Sequence, residues 1–310
     1  MSAGYDALRR RAAWLDLTDR GKIFALGEDR ARLLHAMTTN HVQQLQPGQG
    51  CYAFFLNAQG RILGDVNLFC LEDRFLLDVE PETRHSLYQH LDKFIIADDV
   101  TLEDASERMA VLGVEGPQSG EALAAMGAPV PETPFGHAAW EGRTVARVSF
   151  TGAEGFRIFA PLEDLSALTA NLEAADAEAA RLVRLENGKP RYGEDIFDTT
   201  LTAETQQNHA LHFSKGCYLG QEVVERVRSR GHVNRLLVAV EIEGSEPPEP
   251  HAILTVDGAE VGRMCSSGFS PAMGRVVGLA YIRVSHAAPG AVLSAAGKSC
   301  LVRQHPAGRL

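Results

Sequence analysis

The sequence predicts an α+β protein, with a mixed region over residues 1–234 and an all-β domain over residues 235–310. Two observations carry that prediction. Before residue 235, segments of helical period alternate with strand-like runs; after it, short β-like runs follow one another between turns. A third supports it: 310 residues, 45% hydrophobic and 23% charged, give ordinary globular composition and enough chain for about two domains. There is no low-complexity segment to set aside.

Residues 29–37 read as a short helix. Pro47-Gly48 then turns into a strand over 51–56, and Asn57-Ala58-Gln59-Gly60 closes a hairpin onto a second strand over 61–69. Strand alternation puts Leu63, Asp65, Asn67 and Phe69 on one face, with Ile62, Gly64, Val66 and Leu68 on the other. A carboxylate and a carboxamide on a mostly apolar face require either water or polar partners, because burying them unpaired is costly. Residues 82–97 carry Leu87, Leu91, Phe94 and Ile95 at amphipathic helical spacing. Strands follow over 100–102 and 109–114, then a loop over 133–140, a strand over 144–150, a turn over 151–155 and a strand over 156–159. Residues 162–175 and 177–185 read as helices, the second stopped by Asn187-Gly188 with Pro190 beyond. The last helix of the region runs from about Tyr218 through 223–227, with Glu222 and Arg226 spaced to pair. From Arg235, β-like runs over 236–242, 252–256, 260–265, 275–284 and 291–294 suggest a small barrel or sandwich.

Several function classes lose support. A net charge of −10 argues against wholesale nucleic-acid or anionic-membrane binding. No apolar stretch is long enough to cross a bilayer and no signal-peptide core follows Arg9-Arg10-Arg11, so a cytoplasmic location is expected. Five scattered cysteines without a Cys-x-x-Cys pair speak against a disulfide framework or a self-contained metal or cluster site. The common nucleotide-loop, zinc-protease and serine-hydrolase motifs are absent.

The most informative segment is Lys215-Gly216-Cys217-Tyr218-Leu219-Gly220-Gln221-Glu222. A thiol beside a lysine and ahead of a helix N-terminus has two sources of thiolate stabilisation. The plainer reading makes Cys217 a small packed hydrophobe between turn-forming glycines. Between Lys215 and Arg235, five basic side chains face two acidic ones, which suits either a solvated face or an anionic ligand. His209, His212 and His232 flank the octet without regular ligand spacing, so no metal site is assigned.

The octet, followed by Arg226, resembles the signature of the YgfZ family of folate-binding proteins. Residues 37–42 with Pro47-Gly48-Gln49, residues 60–65, and residues 262–271 with 278–284 are similar to segments of the aminomethyltransferase (T protein) of the glycine cleavage system. The resemblance implies a T-protein-like fold. Two folate-binding subdomains within 1–234 and a C-terminal β-barrel over 235–310 would enclose a central cavity for tetrahydrofolate or a derivative. It implies Asp65 as the carboxylate that approaches the folate and Arg184 as an arginine beside it. Asn67, Lys215, Tyr218, Gln221, Glu222 and Arg226 are further candidate binding residues, and Cys217 and Asp65 are the candidate catalytic pair. One departure stands out: where the transferases carry a second glutamate that helps hold folate, this chain has Arg157.

Three functions are therefore expected in order. The first is an accessory factor for assembly or repair of iron–sulfur enzymes, including tRNA-modifying ones. It would use Cys217 with a transient cluster, and client or assembly proteins would be its partners. The second is a folate-dependent aminomethyl or one-carbon transferase, and the third a non-catalytic scaffold. A monomer is the default, since no apolar repeat advertises an interface.

Overall fold

The computed structural model describes residues 2–231 and 233–303. The first part of the chain forms α1 (Ala3–Arg10), β1 (Ala13–Asp16), β2 (Gly21–Leu26), α2 (Arg30–Met37), β3 (Gly50–Leu56), β4 (Ile62–Cys70), β5 (Phe75–Val79), α3 (Arg84–Asp92) and β6 (Thr101–Asp104). Next come β7 (Met109–Glu115), α4 (Ser119–Ala125), β8 (His137–Trp140), β9 (Arg143–Ala146), β10 (Gly155–Pro161), α5 (Leu165–Thr169), β11 (Glu173–Ala174), α6 (Ala177–Glu186) and α7 (Gln221–Arg230). The chain ends in β12 (Arg235–Ile242), β13 (Ile253–Val256), β14 (Ala259–Ser270), β15 (Arg275–Arg283), β16 (Val292–Ala295) and β17 (Lys298–Val302).

These strands make three sheets. One has the order β3-β4-β5-β2-β6, a second β11-β1-β7-β10-β9-β8, and the last six strands close into a barrel. Closure decides between barrel and sandwich, and it leaves no free edge among those strands. The first sheet buries one face under α2 and α3, with Ala53, Phe55, Val66, Leu68 and Leu77 in that core. Its other face meets the second sheet, where Phe69 and Leu76 pack with Leu15, Val111 and Phe159. The outer wall of the barrel closes the third side, as Leu237, Ala239, Val277 and Leu279 join Phe54, Leu56, Ile62 and Leu185. Fully burying such a side chain contributes about 1.5–3 kcal/mol, so these shared clusters hold the three sheets to one another.

Local signals explain the helix boundaries. Ser2 accepts from the Tyr5 N–H at 3.2 Å to cap α1, and Asp176 accepts from the Ala179 N–H at 2.7 Å to cap α6. Gly220 and Gly231, at φ +83° and +82°, bound α7 on both sides. That helix therefore starts at Gln221 rather than near Tyr218.

Other expectations are corrected by tertiary contacts. The shared face of Asp65, Asn67 and Phe69 stands, but Leu63 leaves it. A bulge between Phe55/Leu56 and the facing strand adds one residue to β4, and this turns Leu63 toward the α2/α3 core. The strand expected over 144–150 stops at Ala146 because buried Glu115 captures the next turn. Its carboxylate accepts the Ser149 hydroxyl at 2.8 Å and the Thr151 N–H at 2.9 Å. The helix expected over 162–175 is a short 3-10 turn followed by α5, and Glu173–Ala174 instead pairs with β1. Residues 133–140 include β8 rather than loop alone, and β14 runs on to Ser270, past the β-like run over 260–265. No helix among the described residues is long and apolar enough to cross a membrane.

Candidate functional site

Where the first two sheets face each other, the apolar packing gives way to a dense polar cluster. Asp65 and Asn67 project from β4 at 7% exposure each. Tyr52, on β3, donates its phenol to Asp65 Oδ2 at 2.7 Å, and Asn67 donates to Asp78 Oδ2 at 2.9 Å. Asp78, fully buried on β5, also takes the Arg20 guanidinium at 2.5 Å and that of Arg157 from β10. Glu80 bridges Arg20 and Arg191, the latter at 2.9 Å. So the reversal of sign at Arg157 is neutralised within the fold, because Asp78 supplies the carboxylate it needs.

Among the described residues, two buried atoms of this cluster have no hydrogen-bond partner: Asp65 Oδ1, an acceptor, and Arg157 Nε, a donor. Buried polar atoms are nearly always satisfied, so orphans of this kind call for strain, a water or a ligand to account for them. Burial, and then the charge of Glu80, push the Asp65 carboxyl up from its usual value to about 6. Burial also holds the Tyr52 phenol well above its ordinary value, with the Asp65 charge adding to the effect, while the side chain keeps some accessible surface. Tyr52 thus faces an internal space of low polarity rather than bulk water. Lys189 contributes an ammonium that bonds the Ser149 carbonyl and is pushed down to about 8 by burial and by the charge of Arg157. A cleft of ≈ 420 Å³ opens beside the cluster between Trp14, Phe150 and the start of α6, sharing Arg20, Glu80 and Arg191 with it.

Arg184 is not free to clamp a ligand. At 1% exposure its guanidinium bonds Asp195 and the Lys189 carbonyl, both at 2.6 Å, and also Glu194. Its role is to shape the segment that presents Lys189 and Arg191. Five residues of the cluster, Arg20, Tyr52, Asp78, Glu80 and Arg191, are missing from the sequence-based candidates. Asp78 had a signal, a lone carboxylate inside Phe75-Leu76-Leu77-Asp78-Val79. The arginines had none, since exposed and buried arginines look alike in sequence.

The octet packs between the end of α2 and the β3–β4 hairpin. Lys215, only 2% exposed, directs its ammonium at the carbonyls of His35 and Thr38, at the C-terminus of α2, and lies 4.8 Å from the centre of the Tyr218 ring. A buried ammonium needs acceptors, and the negative end of a helix provides them. Lys215 therefore anchors the loop instead of pairing with Cys217. Burial pushes its amine down to about 7. Cys217 itself is exposed and is not in a disulfide, so the packed-hydrophobe reading is excluded. Leu219 adds an N–H bond to the Ala36 carbonyl at 3.0 Å. Tyr218 joins the apolar cluster that holds Tyr52 and Tyr192. Gln221 accepts from the Tyr218 N–H at 3.3 Å, whereas Glu222 and Arg226 are exposed and the ion pair on this helix joins Arg228 to Glu225 at 3.5 Å.

Gly220 interlocks this loop with the β3–β4 hairpin. A Cβ there would sit 2.6 Å from the Asn57 carbonyl oxygen, and one on Gly60 would sit 2.7 Å from Val223 Cβ. Gly220→Val is expected to destabilise the protein by about 2–4 kcal/mol and to speed alkylation of Cys217. Gly231→Ala has a similar positive φ but nothing within 4 Å of its Cβ position, so a loss of only about 1 kcal/mol is expected. Equal losses in urea unfolding would refute the interlock.

Among the described residues, the histidines form no ligand set. Rings of His35, His41 and His212 succeed one another edge-on at 4.7 and 5.0 Å, and His209 stacks on Tyr52 at 5.2 Å. No group of three or more metal-ligating side chains is poised for a metal among the described residues, and His232 lies outside them.

Comparison with known proteins places this geometry. Residues 1–215 match the GCVT N-terminal domain and residues 235–303 the glycine cleavage T-protein C-terminal barrel domain. The chain belongs to the glycine cleavage T-protein family. An aminomethyltransferase of Rubrobacter xylanophilus is 30% identical to it, covering 91% of this chain and 79% of that relative. A chloroplastic putative transferase of Arabidopsis thaliana is 27% identical, covering 97% and 74%. The crystal structure of the glycine cleavage system aminomethyltransferase T of Bartonella henselae superposes with a TM-score of 0.87 at 23% identity, covering 98% of this chain and 88% of that one. This last likeness shows that the T-protein fold is shared along nearly the whole length. Within that fold, Asp65 stands at the junction of the first two sheets with one carboxylate oxygen unpartnered among the described residues.

Proposed function

We propose that this protein binds a reduced folate at Asp65 and works on the one-carbon unit that the folate carries, as a transferase of the aminomethyl type. One observation carries the reading: Asp65 is a buried carboxylate with one oxygen held by Tyr52 and the other without a hydrogen-bond partner among the described residues. Such a group accepts a hydrogen bond from an amine and can exchange a proton with it near neutral pH. Bound there, tetrahydrofolate would supply the secondary amine that takes up the one-carbon unit. Tyr52 fixes the carboxylate's orientation, and Arg20, Asp78 and Arg157 hold the surrounding strands in register and exclude water. The relatives named as aminomethyltransferases support this class of reaction.

A second reading is favoured by a separate observation. Cys217 stands exposed on a loop clamped by Lys215 and Gly220, and folate chemistry at Asp65 makes no use of it. That arrangement suits an accessory factor for assembly or repair of iron–sulfur enzymes, including tRNA-modifying ones. A thiol offered to a client protein in the cytoplasm would be its working part.

Calorimetric titration of tetrahydrofolate into wild type, Asp65→Asn and Cys217→Ser tests the first reading. Binding is expected to survive loss of Cys217 and to fall at least tenfold in Asp65→Asn. Silence in the wild-type titration would end the folate reading. Turnover of an aminomethyl donor that ignores Cys217→Ser favours transfer, whereas client cluster-enzyme activities that depend on Cys217 favour the accessory role.

A further inference from the structure

Tyr52 is the side-chain partner of Asp65, and what grips its ring lies outside the polar cluster. The ring meets Phe54 edge-on at 5.4 Å and is stacked by His209 at 5.2 Å, with 28° between the two planes. Phe54 is fully buried, whereas His209 is exposed on a short 3-10 turn, Asn208–Ala210. The backbone is tied at the same place. The Asn40 carboxamide donates to the Tyr52 and His209 carbonyls, each at 2.9 Å, and the Thr39 hydroxyl donates to the Ala210 carbonyl at 2.6 Å. A planar ring packed on the face of a phenol removes the torsional freedom that would carry its hydroxyl away from a partner.

We infer that His209 is a positioning residue for the proposed reaction: its ring locks the Tyr52 phenol in the rotamer that donates to Asp65. A donated hydrogen bond favours the ionised carboxylate, so Tyr52 opposes the upward push that burial and Glu80 exert on Asp65. A freer phenol donates for less of the time, and Asp65 then keeps its proton to higher pH. Other groups face Asp65 as well: Arg20 before β2, Glu80 after β5, Arg157 on β10, Tyr192 after α6, and Asp78 behind Asn67. A substitution at position 209 leaves all of them in place. The inference rests on Asp65 as the working group of the reading above and adds the residue that orients its partner.

Carbon-13 NMR of the aspartate carboxyls, with the Asp65 signal assigned by its absence in Asp65→Asn, follows this titration without any folate. His209→Ala is expected to raise the proton affinity of Asp65 by about threefold or more, Tyr52→Phe by about tenfold, and the double variant no further than Tyr52→Phe alone. His209→Phe keeps a ring in the stack without the imidazole charge and is expected to titrate within about twofold of wild type. In aminomethyl turnover, the acid limb of the pH profile should move to higher pH by the same step in His209→Ala. A loss of general stability would neither spare His209→Phe nor vanish in the Tyr52→Phe background. Cooperative melts establish that the variants are folded, and His209→Leu replaces His209→Ala if that variant is not. An unchanged Asp65 titration in the folded variant, or an equal change in His209→Phe, would overturn the assignment. Silence of the wild type in tetrahydrofolate calorimetry is a separate outcome, which removes the folate reading and leaves the Asp65 shifts in place.

Discussion

Asp65→Asn is expected to make the protein more stable at pH 7.5 while weakening its hold on folate. Burial and the Glu80 charge raise the folded-state carboxyl from 3.8 to about 6, so the ionised form is disfavoured in the native protein. A group shifted upward contributes its stability below the unfolded value and loses it as pH rises through the folded one. The window is therefore pH 4 to 6. Above it, the ionised carboxylate costs roughly 3 kcal/mol, at about 1.4 kcal/mol per pH unit. Asparagine keeps an acceptor for Tyr52 without the charge. In urea unfolding, the variant should match wild type near pH 3.5 and exceed it by about 2–3 kcal/mol at pH 7.5. A difference independent of pH would show that Asp65 does not titrate in this window. A stability gain coupled to loss of binding is the signature of a residue kept for function.

Asp78→Ala is expected to act in the opposite direction, although Asp78 is buried and belongs to the same cluster. Its carboxylate holds Arg20, Arg157 and Asn67 at once. Removing it strands the buried Arg157 guanidinium and leaves Arg20 with Glu80 alone, and breaking a buried ion pair from one side typically costs about 3–5 kcal/mol. Equilibrium unfolding should show that loss. Adding Arg157→Met to Asp78→Ala should recover part of it, since one stranded cation is removed along with its partner. If the double variant is no more stable than Asp78→Ala alone, the pairing of Arg157 with Asp78 is not what fixes the cluster. The contrast between these neighbouring carboxylates follows from their partners. Asp78 bonds two guanidinium groups directly, whereas the phenol of Tyr52 is the side-chain partner of Asp65 and the Glu80 charge opposes its ionisation.

Much of the frame was legible because its signals are local. The hairpin at Asn57–Gly60, the strand alternation that puts Asp65 beside Asn67, the stop at Asn187-Gly188 and the change of texture at Arg235 each depend on a few consecutive residues. Short elements such as β1, β11 and β17 were not legible. Each has only two to five residues and pairs with at least one strand distant in the chain. The bulge that rotates Leu63 off the Asp65 face likewise arises from pairing between strands rather than from β4 alone.

The candidate site divides along the same line. Sequence by itself determined that Asp65 and Asn67 face one way and that Cys217 sits in a glycine-flanked loop, since strand period and glycine freedom are properties of the local backbone. It also determined that position 157 carries a cation. Tertiary structure alone decided where the charges go. Arg157 meets Asp78, Arg184 is consumed by Glu194 and Asp195, and Lys215 turns from the neighbouring thiol to the carbonyls at the end of α2. The physical reason is desolvation: a charge removed from water must take the nearest complementary group in space, and folding sets which group that is.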